Sequence, residues 1–475
     1  MDINSKINLN ENYKRTKIIA TIGPSTNSYE LIYQMIKAGV NGIRLNFSHG
    51  THQEKEQQIT WIRQASKELK KPVSIIQDLQ GPKIRLGDFN GVIELTKNQV
   101  VALGLNKNYE KDHIIPIQFD LSKKLKRGDR LYIFDGRIKA VVQSIKDKLI
   151  YLKIEHGGQI LSKKGINLPD TDLGDEVITA KDRADLVFGS VHDIDYVAQS
   201  FVQNGDNVRS LRKILTSLNS RAKIIVKFET KMASLNISEI IDQADGAMVA
   251  RGDLAYEVLP EAVPIIQRDI VREAISQSKP VIIATQMLFS MTTSESPTRA
   301  EVSDIANAVM DRVDCLMLSD ETANGNHPVA SVKLMKRVIL YTEKSIKNES
   351  FKIEQKKDIA RAISYSVVEL ATQIRAKAIV AETKSGATAR HISSKRTTIP
   401  ILAVTNDIHS ANSLAIVYGV KSYLRPAQKY AATKLTNWLR ANHILDKGDL
   451  VVSASGKYPG VVGTTDTIKL RLIED

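Results

Sequence analysis

AKIIVKFE at residues 222–229 and GAMVARGD at residues 246–253 decide how this chain is read. In each stretch an apolar, strand-like run delivers charge at its end: Lys227 and Glu229 in the first, Asp253 in the second. Residues two apart on a strand point the same way, so Lys227 and Glu229 share a face. A lysine beside two carboxylates at strand ends suits a divalent metal gripping an anionic substrate, with the ammonium supporting developing negative charge. Either stretch taken alone also reads as a buried ion pair. The surroundings favour the site.

Similar runs recur along the chain. Strands are predicted at 17–22, 40–46, 73–78, 195–201, 222–228, 246–250, 280–285 and 313–318. Helical patterns follow at 27–38, 53–70, 206–218, 260–277, 299–311 and 328–346. Eight strands alternating with helices predict an α/β fold, a (β/α)8 TIM barrel. The interval between 78 and about 172 breaks the rhythm. It holds IELT, VVAL, RLYIFDGRIKAVVQSI and KLIYLKIE, with turn signals at Asp135-Gly136 and Asp147-Lys148. It reads as a small β-barrel domain inserted after the third strand. Residues 349–358 are charged and linker-like. A third unit follows, with strands at 378–382, 401–405, 449–454 and 466–473. The expected division is 1–81 with 172–347 for the barrel, 82–171 for a β-rich lid, and 348–475 for a C-terminal α/β domain. No internal repeat or low-complexity tract is visible.

Length and composition agree with this layout. A chain of 475 residues suggests roughly three domains. Hydrophobic content of 42% and charged content of 25% are those of a globular protein. No apolar run reaches the roughly 18 residues that a membrane span needs. The start, MDINSKINLNENYKR, lacks the apolar core of a secretory signal. The single cysteine, Cys315, excludes an internal disulfide and fits a reducing cytoplasm. The net charge of +14 is spread along the chain, without a basic tail or nucleic-acid motif. It reads as a solvated surface that helps attract anionic substrates.

In such a barrel the active site lies at the C-terminal ends of the strands. The second strand ends Ile43-Arg44-Leu45-Asn46-Phe47-Ser48-His49, one polar and one apolar face in alternation. The third delivers Asp78, the seventh Thr285, and the eighth Ser319 then Glu321. Buried polar groups must be paired or functional. Their concentration at one mouth points to a site.

With these residues in view, the sequence closely resembles pyruvate kinase over nearly its whole length. The matching stretches are TKIIATIGPS (16–25), IRLNFSHG (43–50), DLQGPKIR (78–85), KKGINLP (163–169), VKFET (226–230), VARGDL (249–254), ATQM (284–287), PTRAEVSDIANAV (297–309) and ETANGNHP (321–328). The resemblance implies Mg²⁺-dependent phosphoryl transfer from phosphoenolpyruvate to ADP, through an enolate that is protonated to pyruvate. It implies that Arg44 holds the phosphate bidentately and that Glu229 and Asp253 ligate Mg²⁺. The Gly252 backbone would approach the substrate carboxylate. Lys227 would stabilise charge on the transferring phosphoryl group and the enolate. Thr285 would face the enolate, and Ser319 with Glu321 would belong to the proton-delivery network, whose donor the sequence leaves open. For the nucleotide it implies Asn46, Phe47, Ser48, His49, Arg85 and Lys164, the last reaching the site only if the inserted domain closes as a lid.

Departures from the family pattern carry their own expectations. Most members hold K⁺ at positions 46, 48, 78 and 79, which are here Asn46, Ser48, Asp78 and Leu79. Lys83 stands where K⁺-dependent members usually have glutamate. A lysine ammonium is a compact fixed cation and could take the role of K⁺. With Leu79, Gln80 and Leu86 it resembles the K⁺-independent branch, so little K⁺ activation is expected. The competing reading is a surface lysine without consequence. Ala255 and Phe289 also depart, at positions that are not ligands in the family. In the third unit, Thr383, Lys384, Ser385, Gly386 and Thr388 precede or open a helix and suit a phosphate. The family places a phosphorylated effector there, with residues 455–467 closing over it. A sugar monophosphate or AMP is favoured over a bisphosphate. The family also implies a homotetramer. Two other classes are a Mg²⁺-dependent lyase or aldolase, and a binding relative with a dead site. The first would need neither Lys164 nor Arg85 and His49. The second is opposed by the intact Arg44, Lys227, Glu229, Asp253 and Thr285.

Overall fold

Eight short strands close on themselves in the computed structural model, which describes residues 13–134, 136–171, 177–346, 359–456 and 465–474. They are β1 (Lys17–Ile22), β2 (Gly42–Asn46), β3 (Ser74–Asp78), β4 (Tyr196–Gln199), β5 (Lys223–Phe228), β6 (Gly246–Ala250), β7 (Val281–Ala284) and β8 (Cys315–Leu318). Every neighbouring pair is parallel, and β8 pairs with β1 to close the barrel. Strands covered by helices outside and by side chains inside have no solvated face, which is why these runs are apolar throughout. One apolar cluster lies between the strands and the surrounding helices. A second fills the barrel interior, with Ile19, Ile76, Tyr196, Ile225, Met248 and Met317 among its members.

Capping boxes fix where several barrel helices begin. Thr51 with Glu54 starts His52–Glu68, and Thr298 with Glu301 starts Arg299–Met310. Thr179 with Asp182 starts Ala180–Val191, a helix that the sequence pattern does not predict. The Asp182 carboxylate also accepts the N–H groups of Gln80 and Gly81 at 3.0 and 3.2 Å. Those residues carry the chain out of β3. Gly81 turns there at φ +66, and a Cβ on it would meet the Phe201 ring at 2.8 Å. The exit to the inserted domain is therefore fixed by one carboxylate and one glycine.

The inserted residues form a six-stranded and a two-stranded sheet around a separate apolar core. The C-terminal unit is a five-stranded sheet, parallel except for its last strand. Four of its strands were predicted. The fifth, Val420–Leu424, was not, because its second inward position is Ser422, whose hydroxyl donates to Ala411 O at 2.7 Å. A serine at a core position breaks the apolar alternation that marks a strand. This unit also seals the barrel floor. Ile416 joins the interior apolar cluster, and Arg396 pairs with Asp314, both only 2% exposed. The linker expected at 349–358, Asp135 of one turn, and most of the closing loop at 455–467 lie outside the described residues. Among those described, no helix is long and apolar enough to cross a membrane.

Candidate active site

At the C-terminal mouth, Lys227 is the hub. Its side chain is 13% exposed. The ammonium donates to Ser200 Oγ at 2.7 Å and lies 3.1 Å from Glu229 Oε2 and 3.3 Å from Asp78 Oδ1. Burial alone would lower its pKa, but the Asp78 and Glu229 carboxylates outweigh burial and hold it raised. Asp78 completes a bridge to Arg44, whose Nε donates to Asp78 Oδ2 at 2.6 Å. Burial opposes ionisation of Asp78, yet Lys227 and Arg44 bring its pKa below the usual value. Arg44 Nη1 also donates to Thr21 Oγ1 at 3.3 Å, so β1, β2, β3 and β5 are joined through polar side chains.

Glu229 behaves differently. Burial pushes its pKa up, Lys227 opposes this, and the nearby Asp253 carboxylate adds to it. Its Oε1 accepts the Phe201 N–H at 2.7 Å. Its Oε2 is buried and has no hydrogen-bond partner, and neither does Asp78 Oδ1, though both lie within ion-pair distance of Lys227. Asp253 stands half-buried in the first turn of Arg251–Glu257, directly after β6. Two converging carboxylates, one with an orphaned oxygen, fit a hard divalent cation. Among the described residues no cluster of three or more His, Cys, Asp or Glu side chains that could hold a metal exists. A two-carboxylate donor set would suit Mg²⁺, which commonly keeps several waters and binds through one or two carboxylates plus substrate oxygens.

Backbone strain marks the next position. Thr285 directly follows β7 with φ +70, and Gln286 comes next with φ +55. A β-branched residue there is a true outlier, held only by its surroundings. Arg251 provides the hold: Nη2 donates to Thr285 O at 2.7 Å while Nη1 grips both Asp304 oxygens at 2.9 and 2.8 Å. The Gly252 N–H donates to Thr285 Oγ1 at 2.9 Å, bringing the hydroxyl to the Asp253 helix. After β8, Glu321 accepts the N–H groups of Ser319 and Leu288 at 2.7 and 2.9 Å. Both its oxygens are committed to backbone, whereas the buried Ser319 Oγ has no partner.

The nucleotide candidates are spread around this centre. Asn46 Oδ1 accepts the Ser48 N–H at 3.0 Å, and Phe47 is buried against Phe188. His49 is exposed. Its pKa is lowered by partial burial and by Arg85, Lys55, Lys83 and Arg44, so cations gather around it. Arg85 Nη1 donates to Lys163 O at 3.1 Å, and Lys164 lies over the Phe134 ring at 4.4 Å. The inserted domain touches the barrel nearby: a Cβ on Gly136 would meet the Tyr256 ring at 2.5 Å. Lys83 is half-buried with its Cε 3.2 Å from a Cβ position on Gly165. Leu79 is 3% exposed, and its carbonyl accepts from Ser200 Oγ at 2.7 Å. In the C-terminal unit, Thr383 Oγ1 accepts the Gly386 N–H at 3.0 Å, ahead of the helix Ala387–Ser394. Arg390 donates to Ser385 O, Ser410 to Lys384 O, and Thr388 meets Thr465 at 2.7 Å.

Comparison with known proteins decides the family. Residues 13–332 match the model for the pyruvate kinase barrel domain, and residues 361–471 that for the pyruvate kinase alpha/beta domain. The chain belongs to the pyruvate kinase family. It is 39% identical to pyruvate kinase 2 of Synechocystis over 97% of this chain and 80% of that protein. It is 38% identical to pyruvate kinase of Thermotoga maritima, over 97% and 100%. A crystal structure of a pyruvate kinase from Cryptosporidium parvum superposes with a TM-score of 0.89 at 34% identity, covering 97% of this chain and 96% of that one. Pyruvate kinases are phosphotransferases, and so is this chain.

Three features of this candidate site go beyond the expectations from sequence. Ser200, the hydrogen-bond partner of Lys227, is a polar residue at a strand end and was open to the same rule that found the others. Arg251 and Asp304 gave no signal, because a surface-like Arg and a helix Asp are ordinary in sequence. The positive φ of Thr285 is likewise invisible without coordinates.

Proposed function

We propose that this chain transfers the phosphoryl group of phosphoenolpyruvate to ADP, giving pyruvate and ATP, as a cytoplasmic enzyme of glycolysis. The observation that carries the reading is the buried Lys227 ammonium between Asp78 and Glu229 at the mouth, with Arg44 beside it. The Arg44 guanidinium, oriented by Asp78 and Thr21, binds the phosphate. Lys227 meets the charge that develops on the phosphoryl and enolate oxygens. Glu229 and Asp253 would hold Mg²⁺, which supplies charge neutralisation between substrate oxygens. The Gly252 N–H, now donating to Thr285 Oγ1, is the donor offered to the substrate carboxylate. Thr285 faces the enolate, while Glu321 positions Ser319, whose free hydroxyl serves proton delivery. His49 and Arg85 with Asn46, Phe47 and Ser48 receive ADP, and Lys164 approaches from the inserted domain. The division at 81/82, 171/172 and 347/348 is supported by the separate apolar cores. A lactate-dehydrogenase-coupled assay of ADP-dependent pyruvate release tests the reaction. Absence of turnover with both substrates and Mg²⁺ sinks it.

Independence from K⁺ belongs to the same proposal. Asp78 already faces two fixed cations, Arg44 and Lys227, and Lys83 contributes to the charge around His49. Activity without K⁺ should lie within about twofold of that with K⁺, and Lys83→Glu should create at least about tenfold K⁺ activation. Strong K⁺ activation of the unaltered enzyme would reject the idea. The loop Thr383–Thr388 is proposed as the site of a phosphorylated effector, a sugar monophosphate or AMP. The hydroxyl-rich turn before the helix Ala387–Ser394, with Lys384 exposed on it, supports this. Such effectors should lower the phosphoenolpyruvate concentration for half-saturation severalfold by population shift, and no change in the Lys384→Ala variant should follow. An unaltered wild-type saturation curve counts against it. A homotetramer, the assembly implied by the family, is checked by light scattering, and a monomer would exclude it.

A further inference from the structure

Outside the reaction centre, a half-open cavity of about 250 Å³ lies between the N-termini of His52–Glu68 and Ala180–Val191. Phe47, Gly50, His52, Lys55, Lys181 and Asp185 line it. Most charges there are spent on one another. Asp185, 2% exposed, takes His52 Nε2 at 2.8 Å on one oxygen and Lys181 Nζ at 2.7 Å on the other. Lys181 donates as well to Phe47 O at 2.6 Å. Glu54 Oε2 accepts the Thr51 N–H at 2.7 Å in the capping box.

Lys55 is the exception. It is 6% exposed, yet among the described residues its ammonium has neither a hydrogen bond nor an ion pair. It stands 5.9 Å from the Phe47 ring centroid and 3.5 Å from a Cβ position on Gly50, on the cavity wall. The side chain is largely buried while its ammonium opens onto the cavity with no anion of the described chain in ion-pair reach, so a bound anion can supply the counter-charge. Burial lowers the pKa of this ammonium, the nearby Glu54 and Asp185 carboxylates oppose that, and Arg44 and Lys181 add to it. The two helix N-termini beside it are already capped, by Thr51 with Glu54 and by Thr179 with Asp182, which leaves Lys55 as the charge available to an anion.

We propose that this cavity binds a phosphate group, with Lys55 as its charged ligand. The group could come from free inorganic phosphate or from a nucleotide lying along Phe47–His49. The second source rests on the nucleotide reading above, the first does not. Full-length protein labelled with ¹³Cε-lysine is titrated with inorganic phosphate and, separately, with ADP, and the Lys55 resonance is assigned by its loss in Lys55→Arg. A shift with inorganic phosphate supports the free-anion source, and a shift with ADP alone supports the nucleotide source. Calorimetry should show Lys55→Met weakening that binding about tenfold or more, with Lys55→Arg restoring it. A Lys55 resonance that moves with neither titrant overturns the proposal, whether or not the enzyme turns over.

Discussion

Replacing Lys227 by methionine should lower kcat about 10³-fold or more, with a much smaller change in KM for phosphoenolpyruvate. The size follows from the place of the ammonium. A single preorganised donor at a developing oxyanion is worth about 10² to 10³ in kcat, and a full charge in a water-poor site is worth more. Lys227 is fixed by Ser200 and two carboxylates before substrate arrives, so little reorganisation accompanies the reaction. Arg44, the proposed phosphate ligand, is untouched in the variant, so affinity should change less than turnover. The substitution also leaves Asp78 Oδ1 and Glu229 Oε2 buried without their cation, and breaking such a pair costs about 3–5 kcal/mol of stability. A thermal melt beside the kinetics separates that loss from the chemical one. Lys227→Arg keeps a charge but spreads it over a plane that cannot reproduce the contacts of a compact ammonium, so it should rescue stability better than kcat. A kcat loss under about tenfold for Lys227→Met in folded protein would refute the assigned role.

How far the residues alone reached follows from the physics of each element. Barrel strands are legible because burial on both faces makes them continuous apolar runs. β1 and β6 coincide with their expected spans, and the other six lie within theirs. Strand-end polarity then located Arg44, Asp78, Lys227 and Glu229, which the fold brings into one ion-pair network. Edge strands and structural clamps were less legible. Val420–Leu424 hides behind a hydrogen-bonded serine, and the Arg251–Asp304 pair that holds Thr285 is long-range in sequence. Glu321 shows a different limit: sequence placed it at the mouth, but only geometry shows both its oxygens engaged by backbone. Lys55 was overlooked because a lysine in the first turns of a helix is ordinary until its burial is known.

The metal-binding prediction follows from the asymmetry between the two carboxylates. Glu229→Gln and Asp253→Asn should each weaken Mn²⁺ binding, measured directly by electron paramagnetic resonance, by about 100-fold, the upper end of what even supporting residues around a metal produce. Glu229→Gln keeps the shape and leaves an oxygen to accept the Phe201 N–H, so its effect isolates the charge and the orphaned Oε2. Asp253 is half-buried, so its neutral variant should fold normally. Asp304→Asn is the control, because Asp304 serves Arg251 and should leave Mn²⁺ affinity unchanged while disturbing Thr285. Raising Mg²⁺ should recover part of the activity of Glu229→Gln and none of that of Lys227→Met, since one defect lies in occupancy and the other in charge stabilisation. Unchanged Mn²⁺ binding in both carboxylate variants would leave Glu229 as the anion of a buried ion pair, the alternative that its strand admits when read alone.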